Sequence, residues 1–232
     1  MKVTLWDFDI ENSVDKLWVA ARTCYSNKTP QELMEEAKTV ELGDKVKLIK
    51  EILEKGHLSI IEQLDFTFLV SGVSRVVSHQ FMRHRHQSPA QQSQRYCKVD
   101  GDFQYIVPAS IRKNKEALEG YKILMKAIAD AYNVFLNFGI PAEDARYVLP
   151  NATSTNFTVT MNGRQFIHIC HERMCLKAQL EIRALVSEMA ACVIDQLPFM
   201  QKYLVPKCEY LGYCTEGKRG CGRKDLKENI IK

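Results

Sequence analysis

"QLDFTFLVSGVSRVVSHQFMRHR" fills residues 63–85, and its reading decides the fold. Leu64, Phe66, Phe68 and Val70 alternate with other residues, the two-residue period of a strand that buries one face. Ser74 then stands before "RVVSHQFMRHR", where a serine oxygen can accept a first-turn N–H and start a helix. The pattern predicts a helix through residues 75–85, on which Gln80 and Arg83, three apart, project side by side. A strand thus passes into a helix with a basic end, and Pro89 predicts that the chain continues as a loop.

Upstream, residues 2–6 read as a strand, and Ser13 precedes a helical pattern of Val14, Leu17, Trp18 and Ala21. Thr29, Pro30 and Glu32 form the start of a second helix, with a capping threonine and a proline at the first turn. Asp44 can cap a third, with Val46, Ile49, Ile52 and Leu53 on one face and Gly56 as its stop. His57, just outside that stop, has the position of a general base or of a hydrogen-bonded structural histidine. Downstream, residues 116–138 read as a long helix. Pro141 opens a short one that ends near Arg146, before Pro150. "STNFTVTMNG" is a strand closed by the Asn162-Gly163 turn signal, and the helix after it carries Arg164 and His168 on one face. A last helix over about 175–196 carries Gln179, Glu181 and Arg183. Many helices and few, non-consecutive strands favour an α+β fold, with a central, mostly antiparallel sheet flanked by long helices.

The 232 residues hold no linker-like stretch, so a single domain is expected over residues 1–205, followed by a Cys/Lys/Arg-rich tail at 206–232. A hydrophobic fraction of 46% and a charged fraction of 26% are ordinary for a globular protein, and runs such as "AACVI" are too short to cross a bilayer. "MKVTLWDFDIENS" has acids where an export signal needs a continuous apolar run, which leads to the expectation of a cytoplasmic protein that is not attached to a membrane. The eight cysteines, at 24, 97, 170, 175, 192, 208, 214 and 221, are then expected to be reduced.

The net charge of +4 is unevenly placed. Between Asp65 and Asp100 there is no acid, whereas Arg75, Arg83, Arg85, Arg95 and Lys98 are present, a local field that attracts anions. Within "RHRHQSPAQQSQRY" (83–96), Ser93 and Arg95 suit a phosphate cage, since a guanidinium offers planar paired donors that a hydroxyl and loop N–H groups can complete. A solvated basic loop accounts for the charge equally well. His79, His84 and His86 crowd together, but neighbouring arginines repel a dication and no acid compensates, so no metal is assigned. Ser88 and Ser93 lie near histidines, yet neither sits in a G-x-S-x-G elbow and no acid orients the base. G-x-G-x-x-G and phosphate-loop motifs are missing as well, so any nucleotide must be held another way. Cys208, Cys214 and Cys221 fall short of the four ligands of structural zinc. Reduced thiols are the plainer account, which a distant histidine or a tetrameric arrangement would change.

"RHR", seven residues and a serine, here Arg83-His84-Arg85 and Ser93 extended by Arg95-Tyr96, resembles the signature of flavin-dependent thymidylate synthases. The resemblance extends in family order to "GHLSIIEQ", "ARYVLP", "NGRQFIHICHER" and "AQLEIR", across about residues 20–185. It departs at Gln63, where a second histidine is frequent, at Leu180 in place of tryptophan, and at Pro89-Ala90-Gln91 in place of x-Asn-Glu. The resemblance implies a homotetramer of α+β subunits with active sites at subunit interfaces. It implies FAD as cofactor, dUMP as substrate, and NADPH and 5,10-methylenetetrahydrofolate as co-substrates, with no nucleic-acid partner. Carried onto matching positions, it assigns FAD contacts to Ser59, Arg83, His84, Arg85, Gln91, Asn162, Gly163, Arg164 and His168. It assigns dUMP to Gln80, Phe81, Met82 and Arg83, to Gln91, Gln92, Ser93, Gln94 and Arg95, and to Arg146 and Arg173. Arg173 matches the residue that polarises the uracil ring. Fixed Arg and His charges in "RHR" are expected to favour a reduced, anionic flavin. A rival from another class is a nucleic-acid module that uses the basic loop, with Tyr96, Phe103 and Tyr105 as stacking platforms.

Overall fold

The computed structural model describes residues 1–97 and 103–230. Lys98 and Asp100, which close the acid-free stretch, lie outside the described residues. Four strands form an antiparallel sheet of order β1-β2-β4-β3: β1 (Lys2–Trp6), β2 (Asp65–Ser74), β3 (Ser88–Gln91) and β4 (Ser154–Asn162). With the helices below, this is the α+β class expected. Contacts gather into two compact units. One comprises Met1–Lys2, Leu69–Arg83 and Pro89–Thr158, and the other Val3–Phe68, His84–Ser88 and Val159–Lys232. Each of the four strands begins in one unit and ends in the other, so no linker separates two sequential domains.

The larger unit opens with α1 (Ile10–Thr23), α2 (Pro30–Ala37) and α3 (Leu42–Glu54). α1 buries Val14, Leu17, Trp18 and Ala21 as its periodicity requires, but its cap is Asp9, which accepts from the N–H of Asn12 at 3.0 Å. Ser13 therefore lies inside the helix. Thr29 and Glu32 make the reciprocal capping pair at the head of α2. α3 starts at Glu41 instead of Asp44 and buries Lys45, whose ammonium pairs with Asp15 of α1. Gly56, at φ +86°, ends that segment in a backbone state that favours glycine. The core rings Phe66, Phe68 and Phe166 pack with centroids 5.1–6.2 Å apart.

In the smaller unit Ser74 caps α4 (Arg75–Phe81) by accepting from Val77 N–H at 3.2 Å. The helix stops at Phe81, short of the expected residue 85, so Gln80 and Arg83 do not share a helical face. The next residue, His84, belongs to the other unit, where its ring is buried and receives a hydrogen bond from Arg173. That burial outweighs the local tendency to continue the helix. Pro89 lies in β3, not in a loop, and β3 is an edge strand, the place in a sheet where a residue without N–H is tolerated. α5 (Ala109–Arg112) leads to α6 (Lys115–Asn137), capped by Asn114. α6 packs Met125 and Ala129 on Phe103. α7 (Ala142–Ala145) ends on Arg146, as expected.

β4 passes without an intervening turn into α8 (Gly163–Arg173), because the Asn162 side chain accepts from Gln165 N–H at 2.8 Å and acts as a cap. α9 (Leu180–Gln196) begins five residues later than expected, since Gln179 caps it through Ile182 N–H at 3.3 Å. α10 (Lys207–Leu211) follows in the tail.

Candidate active site

In the larger unit α8 presents Arg164 and His168 on its exposed side, with Arg173 at its last turn. The Nε of Arg173 donates to Nε2 of His84 at 2.9 Å, and the His84 and His168 rings meet edge-on with centroids 5.7 Å apart. His84 is 9% exposed. Burial, then the Arg173 charge, then His168, pushes its pKa down from 6.5 to about 4. The ring is therefore neutral at neutral pH, with Nε2 as acceptor and the remaining proton on Nδ1. This corrects the expectation of a fixed positive histidine in "RHR": only its two arginines carry charge. The neutral ring orients the Arg173 guanidinium without contributing a negative charge that would cancel it.

Beside this cluster is a cavity of about 580 Å³, within the usual size of small-molecule sites. Asn162, Arg164 and His168 line it, joined by Leu58 and Glu62 from the 3-10 turn Leu58–Gln63, by His86, and by Tyr210 and Leu211 of α10. Three of the predicted cofactor residues thus share one wall, which combines cationic and hydrogen-bonding groups with apolar surface. Ser59, His84, Arg85 and Gly163 belong to the same unit but are not on that wall. Gly163 has a packing reason of its own: a Cβ there would stand 2.5 Å from Ile61 Cγ2 and 2.7 Å from the Ile61 carbonyl. His171, Tyr210 and His86 are wall residues that sequence reasoning missed. His171 stacks on Tyr210 at 4.8 Å and lies one turn beyond His168, a helical repeat visible in "HICH".

The smaller unit holds a second cluster. Gln91 Nε2 donates to Thr155 Oγ1 at 3.1 Å, and Gln92 accepts from Asn156 Nδ2 at 2.9 Å, so β4 fixes both glutamines. Ser93 Oγ accepts the Arg95 N–H at 3.2 Å. The Arg95 guanidinium binds the Glu143 carboxylate at 2.8 Å, and Arg146 Nε donates to the Glu143 carbonyl at 3.0 Å. Glu143 therefore gathers both predicted phosphate arginines. Arg75 lies near enough for the Arg146 charge to add to burial in lowering its pKa. Gln80, Met82, Arg83 and Gln94 are in this unit as well, whereas the Phe81 ring is fully buried on Phe157 at 5.4 Å, leaving its main chain as the part able to reach a ligand. Arg75 and Glu143 were not among the predicted site residues. The acid-free stretch pointed to Arg75, but nothing local pointed to Glu143.

The family model described as "Thymidylate synthase complementing protein" matches residues 6–199. The flavin-dependent thymidylate synthase of Geobacter sulfurreducens is 42% identical over 206 residues, covering 88% of this chain and 87% of its own. The chain belongs to this family. The flavin-dependent thymidylate synthases of Nitratidesulfovibrio vulgaris and Clostridium tetani are 40% identical over 229 residues and 39% over 220, covering 92% and 88% of this chain and 91% and 86% of their own. The basic loop of this chain is also the stretch that a nucleic-acid reading would have used. Phe103, one of that rival's three platforms, is 3% exposed and packed against Tyr105, so it offers no free face for stacking. Among the described residues no helix is long and apolar enough to cross a membrane.

Proposed function

We propose that this chain methylates dUMP reductively to dTMP, with 5,10-methylenetetrahydrofolate as one-carbon donor, NADPH as reductant and FAD as hydride carrier. The observation that carries the proposal is the Arg173–His84 contact at 2.9 Å. A uracil ring becomes nucleophilic at C5 as negative charge develops over its imide and carbonyls, and a guanidinium held by a neutral imidazole can stabilise that charge without titrating. Arg173 is the catalytic residue in this account, and His84 is a positioning residue. No serine or cysteine attached to uracil is invoked.

The donor set of the 580 Å³ cavity fits part of a flavin: Arg164 and His168 would hold its polar groups, and Leu58, Ile167 and Leu211 would supply apolar contact. Bound there, FAD would supply the hydride that completes the methyl group. Ser59, Arg83, Arg85, Gln91, Asn162 and Gly163 are proposed as its other contacts. The dUMP phosphate, with nearly two negative charges, is assigned to Ser93, Arg95 and Arg146, and Gln91 and Gln92 are held by β4 as amide donors for the nucleotide. Assembly as a homotetramer, with sites completed across subunit interfaces, and a cytoplasmic location complete the proposal.

The test is product formation. Protein loaded with FAD, given dUMP, NADPH and methylenetetrahydrofolate, should release tritium from 5-labelled dUMP and yield dTMP. A protein that binds FAD and dUMP but releases none would sink the proposal.

A further inference from the structure

The matched family residues end at 199, and the cysteines of the tail lie beyond them. We propose that Cys175, Cys208, Cys214 and Cys221 form a metal site of four thiolates, the chemistry that holds zinc or an iron–sulfur cluster. The inference does not rest on the proposed reaction.

The sequence offers three of these cysteines without a C-x-x-C pair. The structure supplies the fourth from a distance: Cys175, two residues past α8, lines the same small cavity of about 30 Å³ as the other three. All four are free thiols. The void is small, and four soft thiolate donors select a thiophilic metal centre. Coordination replaces four S–H protons, which pass to solvent, by four metal–sulfur bonds. With a divalent ion the product carries a net charge of about −2. Lys207, Arg223 and Lys224 on the cavity wall outnumber Glu172 and Glu216, which suits that charge.

A second observation is independent of the thiols. Between Lys207 and Leu226, Cys214 is the one buried side chain among the described residues. The segment is tethered instead by a bridge between Cys214 and Leu226 and by exposed ion pairs such as Arg223–Glu209 at 3.0 Å. A piece of chain without an apolar core needs a cross-link or a metal to be ordered. Among the described residues no three metal-capable side chains already converge on a point. Binding must therefore draw the thiolates together, and metal affinity becomes tail-folding energy. His171 and Lys207 also line the larger cavity, so the metal site would brace the wall that carries His171 and Tyr210.

The full chain should be purified without oxygen or chelator and its metal, sulfide and free thiols measured. Stoichiometric zinc without colour, or iron with acid-labile sulfide and visible absorption, upholds the four-thiolate site and names the centre. The Cys214→Ser/Cys221→Ser double variant should lose at least ten-fold in bound metal, and Cys24→Ser, at α1's C-cap and not on this cavity's wall, should keep it. To separate metal loss in the double variant from loss of tail structure, the wild type is also digested with trypsin: metal should protect against cleavage at Lys218 and Arg219, and chelation should restore it. A reduced wild type that takes up neither zinc nor iron, a double variant that keeps its metal, or cysteines found paired as disulfides would overturn the proposal.

Discussion

Arg173 donates through Nε to the buried, neutral ring of His84 at 2.9 Å, a contact that joins the last turn of α8 to a residue 89 positions earlier. Arg173→Ala should lower kcat by about 10²–10³-fold, the usual effect of removing one preorganised charge donor, while flavin remains bound. His84→Gln should lower kcat with little change in KM for dUMP, as a positioning role requires. Steady-state kinetics on flavin-loaded protein check this, and a raised KM with kcat unchanged would contradict the positioning role.

His84 also makes a prediction about acid. Its pKa is about 4 in the fold and near 6.5 in the unfolded chain, so between those values the unfolded state binds more protons. This contribution to stability is complete above pH 6.5 and declines as the pH falls towards 4 and below. Urea midpoints measured at pH 7.5, 6 and 5 should fall along that series, and His84→Gln should fall less steeply. Parallel curves for the two proteins would refute the assignment.

Much of the fold was legible because its signals are local. The Thr29–Glu32 capping pair, the alternation of Leu64 to Val70 and the Ser74 cap all act within a few residues. The end of α4 was not legible, because His84 is buried and bonded to Arg173, 89 positions later, which no local signal shows. The neutrality of that histidine was hidden for the same reason, and a motif rich in charge was read as fully charged. Glu143, 48 residues from Arg95, and Cys175, well ahead of the tail, became partners only through the fold.

Glu143 holds Arg95 by its carboxylate and Arg146 by its carbonyl. A nucleotide phosphate must compete with that carboxylate. Arg95→Ala should weaken dUMP binding by about 10–100-fold, the value of a charge-assisted contact. Glu143→Gln should strengthen it several-fold, and should alter stability by less than about 1 kcal/mol because the pair is half-exposed. Calorimetric titration with dUMP checks both, and weaker binding by Glu143→Gln would show that the carboxylate supports the site and does not compete with the nucleotide.

Gly163→Ala forces a methyl group against the Ile61 backbone at 2.7 Å. Overpacking of this kind costs about 1–3 kcal/mol, or about 2–12 °C in Tm for a chain of this size. Thermal unfolding should show the loss without flavin present. An unchanged Tm would mean that the start of α8 can shift away from Ile61.

The most direct test of the central claim is the rate of tritium release from 5-labelled dUMP by FAD-loaded protein, with the wild type and Arg173→Ala compared at matched flavin occupancy. The account predicts release by the wild type that depends on NADPH and methylenetetrahydrofolate, and its near-complete loss in the variant. Equal rates in the two proteins would contradict it.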